Sequence, residues 1–277
     1  MNRVTKTRSI LFTPALRVDR FHKGLTSGVD ISLIDLEDSV ALSNKQDARE
    51  ALLECLQLQC ATQAQVAVRI NSIDSGEGYN DLMYLRKTQR SPDILLVPKV
   101  ESSRDIAIVD ALTAPYSANH RYFALIENTK GVDNIAEIAA NSPKLAGLIF
   151  GSADYTRSIG ANICWETLLF ARMAIVHAAR SCHAQAIDTP YFDINDLNGL
   201  REDCLRVKKL GFNGRCVIHP SQTQIINTVF SPSEEELVRA RRIVDAAQKS
   251  EGNICRVDGE MVGAPIIEEA RRLLART

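Results

Sequence analysis

Eight short apolar runs, separated by longer segments of helical periodicity, constrain this chain more than any other feature. They are Ser9 to Pro14, Ile31 to Leu36, Gln65 to Ile70, Asp93 to Pro98, Tyr122 to Ile126, Leu145 to Phe150, Ala184 to Ile187 and Arg215 to Ile218. An unbroken apolar run of this length reads as a parallel strand with helices on both sides of its sheet. No Gly-rich dinucleotide turn follows any of the eight. The alternation therefore predicts an α/β fold, a closed TIM (β/α)8 barrel rather than a doubly wound sheet. The 277 residues suit that architecture, which takes about 250.

Barrel enzymes build their sites at the carboxyl ends of the strands. Here those ends carry Glu37 and Asp38, Arg69 and Asn71, Lys99 and Glu101, Glu127, Asp154, Asp188 and His219. The amino ends carry turn formers instead: Gly28-Val-Asp30, Ser91-Pro-Asp93 and Gly211-Phe-Asn-Gly214. The stretch from Arg121 to Asp154 gives two adjacent strands that each stop at an acid, Glu127 and Asp154. Two such acids can share one cation, and magnesium typically uses one or two carboxylates and keeps several waters. The glycine of Gly151-Ser-Ala-Asp154 lets backbone approach a ligand closely. Loop charges or salt-bridge partners are the plainer alternative for both acids.

The formal net charge is -1, and no basic run interleaves with aromatics, which excludes nucleic acid as the expected partner. The seven cysteines, Cys55, Cys60, Cys164, Cys182, Cys204, Cys216 and Cys255, contain no Cys-x-x-Cys pair and read as buried reduced thiols. No apolar stretch reaches the roughly 18 residues needed to span a bilayer. The first residues are basic and acid-free, faintly like a transit peptide, but the folded pattern begins by Ser9. The expected location is the cytoplasm.

The chain divides into a barrel over 1–230 and a C-terminal arm over 231–277. Ser231-Pro-Ser-Glu234 matches a capping box with proline at the first helical position, opening a helix to about Lys249. Ile254 to Val257, the Asp258-Gly259 turn and Glu260 to Val262 predict a hairpin, with a terminal helix from Pro265. An arm this small is expected to lack its own core and to dock on the barrel or on another subunit.

Four residues admit two readings each. Arg69, among apolar neighbours, either pairs with Glu37 or Glu127 or grips a substrate carboxylate with its planar fork. Lys99 either pairs with nearby Glu101 or, desolvated, forms a Schiff base with a carbonyl substrate. His219 lacks a second histidine at metal-ligand spacing, which argues against zinc. Cys164 beside Trp165 either faces the pocket or is buried.

With these residues in place, the chain resembles the citrate lyase β-subunit-like (CitE-like) family within the HpcH/HpaI aldolase group. The resemblance rests on Leu11-Phe-Thr-Pro14, Asp35-Leu-Glu-Asp38, Val68-Arg-Ile-Asn71, Pro98-Lys-Val-Glu101, Ile126-Glu127, Phe150-Gly-Ser-Ala-Asp154 with Ser158-Ile-Gly160, Ala186-Ile-Asp188 and Gly211-Phe-Asn-Gly-Arg-Cys-Val-Ile-His-Pro220. It implies a magnesium-dependent lyase that cleaves a 3-hydroxy-acyl thioester, such as citramalyl-CoA, to an acetyl thioester and a 2-oxo acid. Glu127 and Asp154 would hold Mg2+, and Arg69 would bind the oxo-acid end. Phe12, Lys23, Ile218 and His219 would contact the thioester or its CoA. Glu37 or Asp38 could take the hydroxyl proton. The resemblance also implies a homo-oligomer, a trimer or hexamer.

The sequence departs from the pattern at two places. Similar proteins carry a catalytic aspartate in a Gly-x-Met-Ile/Val-Asp segment of the arm that reaches a neighbouring subunit's site, and here Gly259-Glu-Met-Val-Gly263 ends in glycine. Ala15 stands where glycine is common, and Asp19 stands where CoA-using relatives are often basic, which disfavours free CoA. The alternatives to a CoA-thioester lyase are a citryl-carrier-protein lyase subunit, a Schiff-base aldolase through Lys99, and a non-catalytic subunit that binds an acyl thioester.

Overall fold

The computed structural model describes residues 7–57, 64–90, 92–115, 120–250 and 254–275. Cys60, Ser91 and the basic first six residues lie outside that set. The chain forms two compact units, Met1–Phe230 and Ser231–Thr277. None of the described helices is long and apolar enough to cross a membrane.

The first unit is a closed barrel of eight parallel strands, β1 (Ser9–Pro14), β2 (Ile31–Asp35), β3 (Gln65–Arg69), β4 (Ile94–Val97), β5 (Arg121–Ile126), β6 (Leu145–Phe150), β7 (Gln185–Asp188) and β8 (Gly214–Val217). Each strand pairs with the next, and β8 returns to β1 through Cys216 opposite Ile10. All eight apolar runs are strands, with ends displaced by a residue or so.

Alternation along the strands sorts their residues into two rows. One row packs with Leu52, Leu85, Val109, Ile175, Val207 and Ile226 of the surrounding helices; it includes Leu11, Ile34, Val68, Val97, Ala124, Leu148, Ala186 and Val217. The other row forms a separate cluster in the barrel interior, with Ile10, Leu33, Ala67, Leu96, Phe123, Leu125, Ile149, Ile187 and Cys216. Asp188 and Arg215 fall in the helix-facing row. Asp188 is fully buried between Arg172 and Arg215, at 3.1 and 2.9 Å, so it belongs to a structural ion cluster and not to the ring of mouth residues expected from the sequence.

The helices start where local chemistry satisfies their first N–H groups. Ser75 accepts from the Gly78 N–H ahead of the helix Gly76–Thr88. The arm's capping box is Ser233 with Glu236, two residues later than expected, so Pro232 precedes the cap instead of opening the helix Glu234–Lys249.

In the second unit, β9 (Cys255–Val257) and β10 (Glu260–Val262) pair antiparallel across the Asp258-Gly259 turn, and a helix runs over Ala264–Leu274. Contrary to expectation, this arm has a core of its own. Ala240, Ile243, Ala247, Val257, Val262, Ile267 and Ala270 are all buried together. The reason is that one face of each helix and the inner face of the hairpin close on one another.

The thiols also differ from expectation. Cys55, Cys204 and Cys216 are buried, Cys182 and Cys255 are half-buried, and Cys164 is exposed at the N-terminus of the helix Trp165–Ser181.

The register between β5 and β6 slips once, from Tyr122 opposite Leu145 to Phe123 opposite Gly147. That slip sets Gly147 against the Phe123 ring, where a Cβ would overlap the ring carbons. Gly147→Ala is expected to cost about 1–3 kcal/mol through overpacking. In thermal melts, the double variant Phe123→Leu/Gly147→Ala should unfold above Gly147→Ala alone.

Candidate active site

The interior row, continued one step past the apolar layers, emerges at the carboxyl end of the barrel as Phe12, Asp35, Arg69, Glu127, Gly151 and Ile218. Asp35, Arg69 and Glu127 are buried there. Arg69 is the hub. Its Nε and Nη2 donate to the two oxygens of Asp35 at 2.6 and 2.7 Å, and its guanidinium carbon lies 5.2 Å from the Phe12 ring centroid. Its Nη1 lies 3.0 Å from Glu37 Oε2 and 3.5 Å from Asp38 Oδ2. Burial works against the Arg69 charge, yet Asp35, then Glu37 and Asp38, hold its pKa above the ordinary value.

Of the two partners expected for Arg69, Glu37 is present at 3.0 Å, but the tighter partner is Asp35, which lies opposite it on β2. Asp35 takes the Nε–Nη2 edge of the guanidinium, so the bidentate edge left to a substrate carboxylate is Nη1–Nη2.

Glu37 is held on two sides. Its Oε1 accepts from Lys99 Nζ at 2.6 Å. Its Oε2 is buried and receives no hydrogen bond, because the Arg69 contact is an ion pair out of line with the N–H. Behind it, Lys45 Nζ donates to the carbonyls of Leu36 and Glu37, both at 2.7 Å, and fixes the loop after β2. Burial raises the Glu37 pKa against the opposing charge of Arg69 and the Lys99 hydrogen bond. Asp38 is largely exposed beside it.

Lys99 pairs with Glu37, not with Glu101. Glu101 instead accepts from Asn128 and Lys130 at 3.1 and 3.2 Å. Burial lowers the Lys99 pKa, but the Glu37 hydrogen bond and the nearby carboxylates outweigh it, and the ammonium stays protonated.

Glu127 Oε1 accepts the backbone N–H of Lys99 at 2.8 Å. Its side chain lies over Gly151, where a Cβ would sit 2.5 Å from Glu127 Cβ and 2.8 Å from Oε2. Only glycine leaves that carboxylate its place. The Glu127 pKa is pushed up to about 8 by burial and by the charges of Glu37 and Asp154. Asp154 lies in the first turn of the helix Ser152–Ile159, not at the strand end itself, and meets Arg157 Nη2 at 2.8 Å.

Among the described residues, no three or more His, Cys, Asp or Glu side chains could enclose a metal ion. Glu127 and Asp154 are a two-carboxylate pair, the number magnesium uses while keeping several waters. The charge balance suits a cation: Asp35, Glu37, Asp38, Glu127 and Asp154 stand against Arg69, Lys99, Lys45 and Arg157, which leaves one carboxylate in excess when all are ionised.

Other expected residues lie apart from this cluster or serve locally. His219 is exposed and caps the short 3-10 turn Pro220–Gln222, its Nδ1 2.8 Å from Ser221 Oγ. Ile218 is 38% exposed, and Lys23 is exposed in the last turn of the helix Val18–Leu25. Asn71 is structural, donating through its N–H and Nδ2 to Asp81. Asp19 is bound by Arg17 through two 3.1 Å contacts, which offsets the charge expected to repel a CoA phosphate.

Comparison with known proteins follows the same lines. Residues 8–220 match the family described as HpcH/HpaI aldolase/citrate lyase. The citrate lyase subunit beta of Escherichia coli (strain K12) is 33% identical over 287 residues, covering 99% of this chain and 94% of the relative. The crystal structure of RipC from Yersinia pestis is 40% identical with a TM-score of 0.74, covering 84% of this chain and 98% of that one. The structure of CitE from Mycobacterium tuberculosis in complex with magnesium, acetoacetate and coenzyme A is 29% identical with a TM-score of 0.82, covering 99% and 98%.

A carboxyl held near 8 competes with a cation for its own oxygens. Without cation, folding keeps a proton that free glutamate releases near 4.5; the stability this gives is present below 4.5 and lost as pH rises through about 8. Binding of a divalent cation reverses that loss. The rise in melting temperature caused by magnesium chloride should therefore grow from pH 5.5 to 8.5, and Glu127→Gln should flatten the dependence.

Proposed function

Since the chain belongs to the HpcH/HpaI aldolase/citrate lyase family and is a carbon–carbon lyase, we propose that it cleaves a citramalyl-CoA-like 3-hydroxy-acyl thioester to an acetyl thioester and a 2-oxo acid. Magnesium is its metal, with Glu127 and Asp154 as ligands. The observation that carries this reading is the Glu127 carboxylate, seated on Gly151, its pKa raised by burial and by the charges of Glu37 and Asp154.

The residues divide the work. Arg69, fixed by Asp35, presents its Nη1–Nη2 edge to the carboxylate of the oxo-acid half. Glu37 Oε2, buried and without a hydrogen bond, accepts the proton of the 3-hydroxyl, and its raised pKa suits that task. As the O–H electrons form the new carbonyl, the carbon–carbon bond breaks and its pair remains on the thioester fragment as an enolate, whose carbon then takes a proton from water, leaving hydroxide that is neutralised by the proton released through Glu37. Bound magnesium would supply Lewis-acid stabilisation of the negative charge that develops at the substrate oxygens. Asp38, exposed beside Glu37, can relay the proton to solvent.

Phe12 on β1 and Ile218 with His219 after the adjacent β8 are the proposed thioester contacts, with Lys23 further out. The Arg17–Asp19 pair removes the charge argument against CoA, and the coenzyme A in the Mycobacterium tuberculosis CitE structure supports it. The proposed assembly is a homo-oligomer, trimer or hexamer, which light scattering measures.

One observation favours a second reading, an acyl-thioester-binding subunit without turnover. At Gly263 a Cβ would meet only Pro265 Cδ at 3.9 Å, so the fold does not require glycine there, while Glu260 is tied to Arg239 at 2.5 Å. If this chain lacks only the acid that reprotonates the enolate, Gly263→Asp raises its turnover.

Assays with malyl, citramalyl and citryl thioesters test the proposal. Chelation should abolish cleavage, and Glu127→Ala or Asp154→Ala should each lower kcat by at least about a hundredfold. Borohydride with a 2-oxo acid should leave Lys99 unmodified, because its ammonium stays charged against Glu37; an adduct would establish the Schiff-base route instead.

A further inference from the structure

Four non-glycine residues among those described have left-handed backbone: Gln89, Lys99, His183 and Asp258. Gln89 caps the C-terminus of the helix Gly76–Thr88, His183 follows the C-cap of Trp165–Ser181, and Asp258 opens the hairpin turn. In those three places the conformation is a routine way to end a helix or reverse a strand. Lys99, with φ of 52°, sits at neither. It follows Pro98 just past the end of β4, at the barrel mouth.

The conformation has a visible result. Pro98 has no N–H to give to the sheet. Lys99 gives its N–H to Glu127 Oε1 at 2.8 Å, and Val100 N–H returns to Leu125 O on β5 at 3.3 Å. The same residue sends Nζ to Glu37 Oε1 at 2.6 Å. One residue, turned out of the ladder, thus holds the candidate metal ligand with its backbone and the candidate proton acceptor with its side chain. Strained backbone of this kind persists where the surroundings over-determine it, and it gathers at functional sites.

We propose that Lys99 is a positioning residue whose left-handed backbone fixes Glu37 relative to Glu127, so that proton acceptor and cation meet the same substrate hydroxyl. The proposal rests on the lyase reading above. The ammonium donates to Glu37 at 2.6 Å and reaches Asp38 only at 4.0 Å, while the hydrogen bond to Glu127 belongs to the backbone and survives any side chain except proline.

The two holds separate by substitution. Lys99→Met keeps the N–H and removes the ammonium; kcat should fall about a hundredfold while the magnesium Kd, measured by calorimetry, does not rise. Turnover by Lys99→Ala should be partly restored by added ethylamine and not by ethanol. Independently of turnover, Lys99→Gly should melt roughly 2–4 °C above Lys99→Ala, since glycine adopts this backbone without the steric cost.

Wild-type kcat in Lys99→Met, a magnesium Kd that rises in step with lost turnover, no response to ethylamine, or Lys99→Ala melting at or above Lys99→Gly would each overturn the proposal. A wild-type enzyme inactive on every 3-hydroxy-acyl thioester overturns the lyase reading, and the clamp with it. An active wild type matched by Lys99→Met overturns the clamp alone.

Discussion

The alternation of side chains along a closed parallel barrel is the constraint on which the rest of this molecule depends. Ile31, Leu33 and Asp35 share one side of β2, and Ala67 and Arg69 share one side of β3, so the interior row is apolar until it reaches open space and charged where it does. Phe123, Leu125 and Glu127 repeat the pattern on the fifth strand, and Gly147, Ile149 and Gly151 on the sixth. The cluster at the mouth is the last layer of the core, written in polar residues. Being one residue out of phase is decisive: Asp188 ends its strand as Asp35 does, yet belongs to the outer row and is consumed by Arg172 and Arg215.

Within that layer, the charges are arranged more for position than for stability. Removing one partner of a buried ion pair is costly, whereas replacing the whole pair by apolar residues often is not. The Arg69–Asp35 pair therefore argues for a site: Asp35 sets the plane of the guanidinium and turns its Nη1 side toward Glu37 and Asp38 at the mouth. Glu37 shows the same economy, with one oxygen fixed by Lys99 and the other left without a donor. Perturbed carboxylates grouped in one mouth are the expected sign of chemistry, as the raised values of Glu37 and Glu127 illustrate.

Much of this was legible in the sequence, for a physical reason. Buried strands are continuous apolar runs, and the eight of them, with Glu127 just past the end of one, could be read without coordinates, whereas Asp154 falls in the first turn of the following helix. Local rules failed where the contact is long-range. Sequence proximity offers Lys99 a partner in Glu101, two residues away, but its ammonium reaches Glu37, 62 residues away in sequence. Asp35 was visible inside its motif, yet its role required knowing that β2 and β3 pair with Asp35 opposite Arg69. Lys45 gave no signal, because it reaches the site through carbonyl oxygens, which every residue has. The arm was judged too small for a core because the joint closure of its helices and hairpin does not show in any one segment.

The surplus of carboxylates at the mouth has a kinetic meaning. An oxo acid or an acidic acyl chain approaching this opening meets the largely exposed Asp38 and the Asp154–Arg157 pair before it meets the buried guanidinium, so Asp38 opposes the ligand at the entrance. A divalent ion held by Glu127 and Asp154, as proposed, would add positive charge at that entrance. On that reading, an ion that arrives first eases the entry of the anion that follows.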